Sequence, residues 1–288
     1  MSWHGHLSLN YSRDGERTIA LDRHNGPLRV LQRLYPEGDA VCHHVLVHPP
    51  GGIVGGDVLE VDATLQAGTH ALITTPGATR FYRSSGAPAR QSVTARLAPG
   101  ARLEWLPLET IAYQNCLADN HLRFELDAGA EMIGWDLLAL GLPAAAQHFD
   151  APGCEQGRYT QCVELPGVWL ERGTVQAHDR LLLDSPLGWA GHRVMGTLWL
   201  AAGSALAPQR RTALLEAARG VIDAAQPPDV APTTACHVGA TSPHEQVVVV
   251  RALADRVEPL MQMLSTIWGQ WRETAWQRPP CPPRVWRT

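Results

Sequence analysis

Three short turns constrain this 288-residue chain more than any other feature. Leu65-Gln66-Ala67-Gly68, Leu97-Ala98-Pro99-Gly100 and Leu126-Asp127-Ala128-Gly129 share one pattern, a leucine ending a strand-like run and a glycine three residues on. The glycines lie 32 and 29 residues apart. Each turn follows a run that alternates apolar and polar residues: Leu59, Val61, Ala63 and Leu65; Val93, Ala95 and Leu97; Leu122, Phe124 and Leu126. A period of two buries one face of a strand and wets the other. Each turn also precedes a second strand-like run, at 71–75, 103–108 and 132–138. Two strands per unit of roughly 30 residues fit stacked coils of a β-solenoid-like body. An antiparallel sheet that reuses glycine turns gives the same short match. Either way the first two-thirds of the chain is expected to be mainly β.

Helical periodicity enters late. Residues 209–225 put Leu214, Ala218, Val221, Ile222 and Ala225 on one face, with Pro208 suited to the first turn. Residues 255–276 do the same with Val257, Leu260, Met261, Leu264, Trp268 and Trp271. Pro227-Pro228 should end the first helix and Pro279-Pro280 close off the second. Between them, Val247-Val248-Val249-Val250 reads as a buried strand, and the proline-rich tail 279–286 as extended chain. The predicted fold is therefore a stacked-strand, β-solenoid-like body with two α-helices in the C-terminal third. No linker rich in Gly, Ser or charge divides it, so residues 1–288 are expected to form one continuous domain.

Several functions are excluded by what the chain lacks. All 24 basic residues are arginine. Without lysine there is no Walker-type phosphate loop and no Schiff base with a carbonyl cofactor. A net charge of −4 with no basic stripe argues against a nucleic-acid partner. No apolar stretch approaches the roughly 18 residues of a membrane span, and the N-terminus is unlike a secretory signal. The six cysteines form no CxxC pair, which suits free thiols in the cytoplasm; a Cys154–Cys162 disulfide is conceivable only on export. GxSxG, HExxH and GxGxxG are all missing.

The densest information lies between His48 and Gln91, where two glycine-rich turns, His48-Pro49-Pro50-Gly51-Gly52-Ile53-Val54-Gly55-Gly56-Asp57 and Thr74-Thr75-Pro76-Gly77-Ala78-Thr79-Arg80-Phe81-Tyr82-Arg83-Ser84-Ser85-Gly86, bracket two strands. Neither turn runs into a helical pattern, unlike an ordinary nucleotide loop. Cys42, His44, Leu46 and His48 should share a strand face, which makes His44 and His48 candidates for weak metal contacts. Asp57 follows a double glycine, Asp136 sits in the apolar run 132–138, and Glu171 follows Trp169-Leu170. A buried carboxylate needs a partner, a water or an ion. A turn residue capping backbone N–H groups is the plain alternative for Asp57, and a solvent-facing position for Asp136. Arg80 and Arg83 alternate with aromatics, as a half-buried strand or as an acidic partner's seat. The helix near Trp268 reads as core, with the flanking Trp271 and Trp276 leaving room for a partner-facing aromatic edge; Trp268 and Trp271 are the candidate partner contacts there.

The same turns, together with Leu103-Glu104-Trp105-Leu106-Pro107-Leu108-Glu109-Thr110-Ile111, Gly134-Trp135-Asp136, Trp169-Leu170-Glu171-Arg172, Ser185-Pro186-Leu187-Gly188 and Pro282-Pro283-Arg284-Val285-Trp286, resemble the urease accessory protein family UreD, also called UreH. Arg80 departs from the family's usual lysine before Phe-Tyr-Arg-Ser. The resemblance implies a mainly β helical stack of strands and a non-enzymatic maturation factor. It implies apo-urease, UreF and the GTPase UreG as partners, and transient Ni²⁺ as cargo with no tightly bound cofactor. A polar internal path for nickel would draw oxygen ligands from Asp57, Thr79, Asp136 and Glu171. Two alternatives stand beside it: a pure adaptor without a metal path, and a β-solenoid carbohydrate-active enzyme using Glu104 and Glu109.

Overall fold

The computed structural model describes residues 2–142, 145–225 and 236–287. Two sheets enclose a continuous apolar interior. In spatial order the first consists of β15 (Trp169–Gln176), β14 (Arg158–Leu165), β11 (Leu117–Leu126), β8 (Ala89–Leu97), β5 (Val58–Leu65), β1 (His4–Asp14) and β2 (Arg17–Asn25). The second consists of β17 (His237–His244), β18 (Val247–Ala254), β16 (Val194–Ala202), β12 (Glu131–Leu142), β9 (Arg102–Trp105), β6 (His70–Thr74), β4 (Val41–Val47) and β3 (Arg29–Leu34). Two short strands, β7 (Thr79–Phe81) and β10 (Thr110–Ala112), continue parallel from the far half of β12 and make a third wall, and β13 (Gln147–His148) pairs with the end of β12.

The repeat in the sequence is the coil of this body. β5, β6 and β7 form one coil, β8, β9 and β10 the next, and β11 with the 12-residue β12 a third. Like strands stack in parallel, β1 on β5 on β8 on β11 on β14, and β4 on β6 on β9 on β12. The three glycine turns stack as well: Gly68 N donates to Pro99 O at 3.2 Å and Gly100 N to Gly129 O at 3.2 Å. Their φ angles of +70°, +72° and +81° fall in the left-handed region, which is why glycine recurs there. Antiparallel hairpins finish both ends, β1–β2 and β3–β4 at one, β14–β15 and β16–β18–β17 at the other.

The two expected helices are α2 (Pro208–Ala225) and α3 (Val257–Trp276), packed on the outer face of the second sheet. A third, the five-residue α1 (Arg180–Asp184), has no periodic pattern to announce it and begins where Asp179 accepts the Leu182 N–H at 3.0 Å. Pro227-Pro228 lies outside the described residues. The tail departs from the expected extended chain at Arg284–Arg287, a 3₁₀ turn. There Trp286 packs tilted against Trp135 and edge-to-face against Trp268 and donates Nε1–H to Thr74 Oγ1 at 2.8 Å. Among the described residues no helix is long and apolar enough to cross a membrane.

The expectation of a partner-facing edge at Trp268 and Trp271 is corrected. Both indoles are wholly buried, with N–H bonds to Glu104 Oε2 (2.6 Å) and Leu214 O (2.9 Å). They belong to a polar seam under α3. Arg272, also wholly buried, reaches Glu37 Oε2 at 2.6 Å, Glu104 Oε2 at 3.3 Å and Pro279 O at 2.8 Å, while His43 pairs with Glu37 and His70 with Glu104, each at 2.7 Å. This seam seals Glu104 beneath the helix, out of reach of a polysaccharide.

Candidate functional site

Strand alternation places an unexpected set of polar groups inside the body. The period that buries Val93, Ala95 and Leu97 on β8 also turns Gln91 inward. Asn120 shares the inner face of β11 with Leu122 and Phe124, and Gln161 that of β14 with Tyr159 and Val163. Gln91, Asn120 and Gln161 are register partners on three adjacent parallel strands, so their amides form one row. Gln91 Nε2 donates to Asn120 Oδ1 at 3.2 Å, and Asn120 Nδ2 donates to Asp136 Oδ1 at 3.3 Å.

Asp136 faces the same interior from β12, between inward Met132 and Leu138. It is 5% exposed. Burial pushes its carboxyl up to about 6; the Gln161 hydrogen bond opposes this rise and the Glu171 charge adds to it. Next in register across the second sheet are Thr197 on β16 and Arg251 on β18. From the third wall, Thr110 and Thr79 are register partners beside Leu138. The Tyr159 hydroxyl, close to Thr110 and Asn120, and the Gln161 Oε1 are buried without a well-formed hydrogen bond. A lane of amide and oxygen groups thus runs along an otherwise apolar core.

One end of the lane meets a cavity of about 340 Å³ between the two glycine-rich turns. His48, Thr79 and Arg80 lie on its walls, with Leu59, Gln91 and Trp105 deeper in. Gly52 is required here because a Cβ would stand 2.0 Å from the Tyr82 ring. The other end of the lane carries Glu171, whose carboxylate accepts Arg251 Nε–H at 3.1 Å.

The residues singled out in sequence divide accordingly. Thr79, Asp136 and Glu171 lie along the lane. Asp57 does not: its carboxylate accepts the backbone N–H of Trp3 at 2.7 Å and of Val54 at 3.1 Å, so it ties the glycine turn to the N-terminal strand. Its charge still reaches His48, where burial lowers the imidazole pKa and Asp57 opposes the fall. His44 is wholly buried, its Nδ1 2.8 Å from the Tyr11 hydroxyl; burial first, then Arg33, lowers its pKa to about 4. Arg80 and Arg83 are exposed beside the cavity and the following turn. His4 and His6 pair on the outer surface with Glu60 (2.6 Å) and Asp62 (2.8 Å). Among the described residues no three His, Cys, Asp or Glu side chains form a group that could hold a metal ion. Sequence reasoning missed Gln91, Asn120, Gln161, Thr110, Thr197 and Arg251. Their signal was a polar residue at the inward step of an alternating run, visible only once register aligns the runs.

The sequence profile of the family described as UreD urease accessory protein matches residues 4–287. A protein named urease accessory protein UreD from Leptothrix cholodnii is 61% identical over 291 residues, covering 100% of both chains. Proteins of the same name from Paracidovorax citrulli and Variovorax paradoxus are 56% and 55% identical, over 99% and 100% of both chains.

Proposed function

Because the chain belongs to the UreD family of urease accessory proteins, we propose that it acts in the cytoplasm as a single, non-catalytic scaffold that brings apo-urease together with UreF and the GTPase UreG and passes Ni²⁺ toward the urease active site along its interior lane. The observation that carries the reading is the hydrogen-bonded series Gln91–Asn120–Asp136, continued by Gln161. A conduit must hold nickel weakly. Amide, hydroxyl and carboxyl oxygens exchange readily, whereas thiolates bind nickel tightly. Two of the chain's buried thiols suit this division: burial raises Cys42 and pushes Cys116 up to about 12, so both stay protonated. Asp136 supplies the lane's buried anionic group, and Thr79 and His48 sit where an ion would enter.

A second reading, the pure adaptor, draws on the Arg251–Glu171 ion pair, which closes the lane's far end. In that reading the scaffold opens urease and nickel enters from outside.

Co-expressing urease and its accessory proteins with and without this chain, and with Thr79→Ala and Asp136→Ala, tests the proposal. Urease recovered without the chain should be nickel-poor. Both variants should give nickel-poor urease while the complex still assembles. Fully loaded urease from both variants would refute the lane and leave the adaptor.

A further inference from the structure

The far end of the lane is built unlike its mouth. Inward positions on β18 are apolar at Val247 and Val249, and then comes Arg251. Arg251 stands opposite Thr197, which in turn stands opposite Asp136, so a cation lies two strands from the lane's buried acid. The edge strands on either side carry glycine at the matching positions. Gly173 on β15 pairs with Gln161, and Gly239 on β17 pairs with Arg251. A Cβ at either would meet nothing within 4 Å. At these two positions neither sheet edge supplies a side chain to cover the row. The cover is the Arg251 guanidinium, gripped by both oxygens of Glu171, its Nε 3.1 Å from each and Nη2 on Oε2. The pair is within reach of solvent, at 44% and 28% side-chain exposure, unlike the seam around Arg272.

We propose that Arg251 is the gate at the far end of the lane, a fixed positive charge that, latched on Glu171, keeps free divalent cations from reaching Asp136 by that end in the unpartnered protein. The inference rests on the lane reading. Its physics is simple. A dication approaching Asp136 from this end must pass a guanidinium, and in a partly buried setting like charges repel strongly. Arginine fits the task because it stays charged at any working pH and because its planar fork fixes it on a carboxylate. Glu171, held by Arg251, is then a latch in the resting protein and a ligand only when the latch opens.

Equilibrium dialysis of the isolated full chain against nickel chloride is the test. Arg251→Met should bind one extra Ni²⁺ per chain, or bind it roughly tenfold tighter than the unaltered protein. Arg251→Gln repeats the measurement should the methionine variant fold poorly. Arg251→Lys, which keeps the charge, should exclude nickel as the unaltered chain does, an outcome that a merely structural role for Arg251 would not give. Adding Asp136→Asn to Arg251→Met should abolish the extra uptake. Equal nickel binding by Arg251→Met, Arg251→Gln and the unaltered chain overturns the gate, and so does extra uptake that survives Asp136→Asn. Asn120→Leu in the maturation assay separates the two ideas. Nickel-poor urease with that variant, alongside no gain in the Arg251 variants, refutes the gate and keeps the lane. Fully loaded urease refutes the lane and the gate with it.

Discussion

Asp136→Asn should make the protein more stable and less useful. The carboxyl titrates near 6 instead of its ordinary 3.8, chiefly because it is buried. Between these values the native state holds a proton that the unfolded chain has released, so stability falls as pH rises through about 4 to 6. Two pH units correspond to roughly 3 kcal/mol, present in full above about pH 7 and reduced to about 1 kcal/mol at pH 4.5. An asparagine carries no such penalty. Asn120 can keep its hydrogen bond to the asparagine oxygen, and the free Oε1 of Gln161 can accept from the new amide. The expected gain is therefore about 1–3 kcal/mol at pH 7.5, smaller by about 2 kcal/mol at pH 4.5. Urea unfolding of both proteins at the two pH values measures it. The same variant should deliver less nickel, because a costly ionised group retained in a core is the mark of a function that needs it. An Asp136→Asn protein that is less stable at both pH values, or whose difference is flat with pH, refutes the reasoning.

Arg272→Met should be severe. It leaves Glu37 and Glu104 buried without their shared guanidinium, at a cost of about 3–5 kcal/mol and on the order of 10 °C in Tm by calorimetry. Gly52→Ala drives a Cβ into the Tyr82 ring, which packs tilted against Tyr113, and should cost about 1–3 kcal/mol in urea unfolding while reshaping the cavity mouth.

The coil repeat was legible because the Leu65, Leu97 and Leu126 turns demand glycine at fixed phase, and the helices because Leu214 and Leu264 fall on 3.6-residue stripes. The lane was half legible. Asp136 stood out as an acid in an apolar run, and Thr79 and Glu171 through the quoted motifs. Asn120, in the polar-looking run 117–126, did not, since nothing in one strand says that its neighbour's Gln91 and Gln161 share its row. Register is a property of the stack. Asp57 looked as exposed to function as Asp136, yet two backbone N–H groups claim it. Trp268 misled for a related reason: its N–H partner, Glu104, lies 164 positions away.

The central claim is that nickel moves through this body between its sheets. Filling the amide row with Asn120→Leu and Gln161→Leu together blocks that space while leaving the outer surface untouched. The decisive quantity is the nickel content of urease matured with this double variant, normalised to the accessory complex recovered. Nickel-poor urease with a normal yield of complex is the predicted result; urease carrying its full nickel would contradict it.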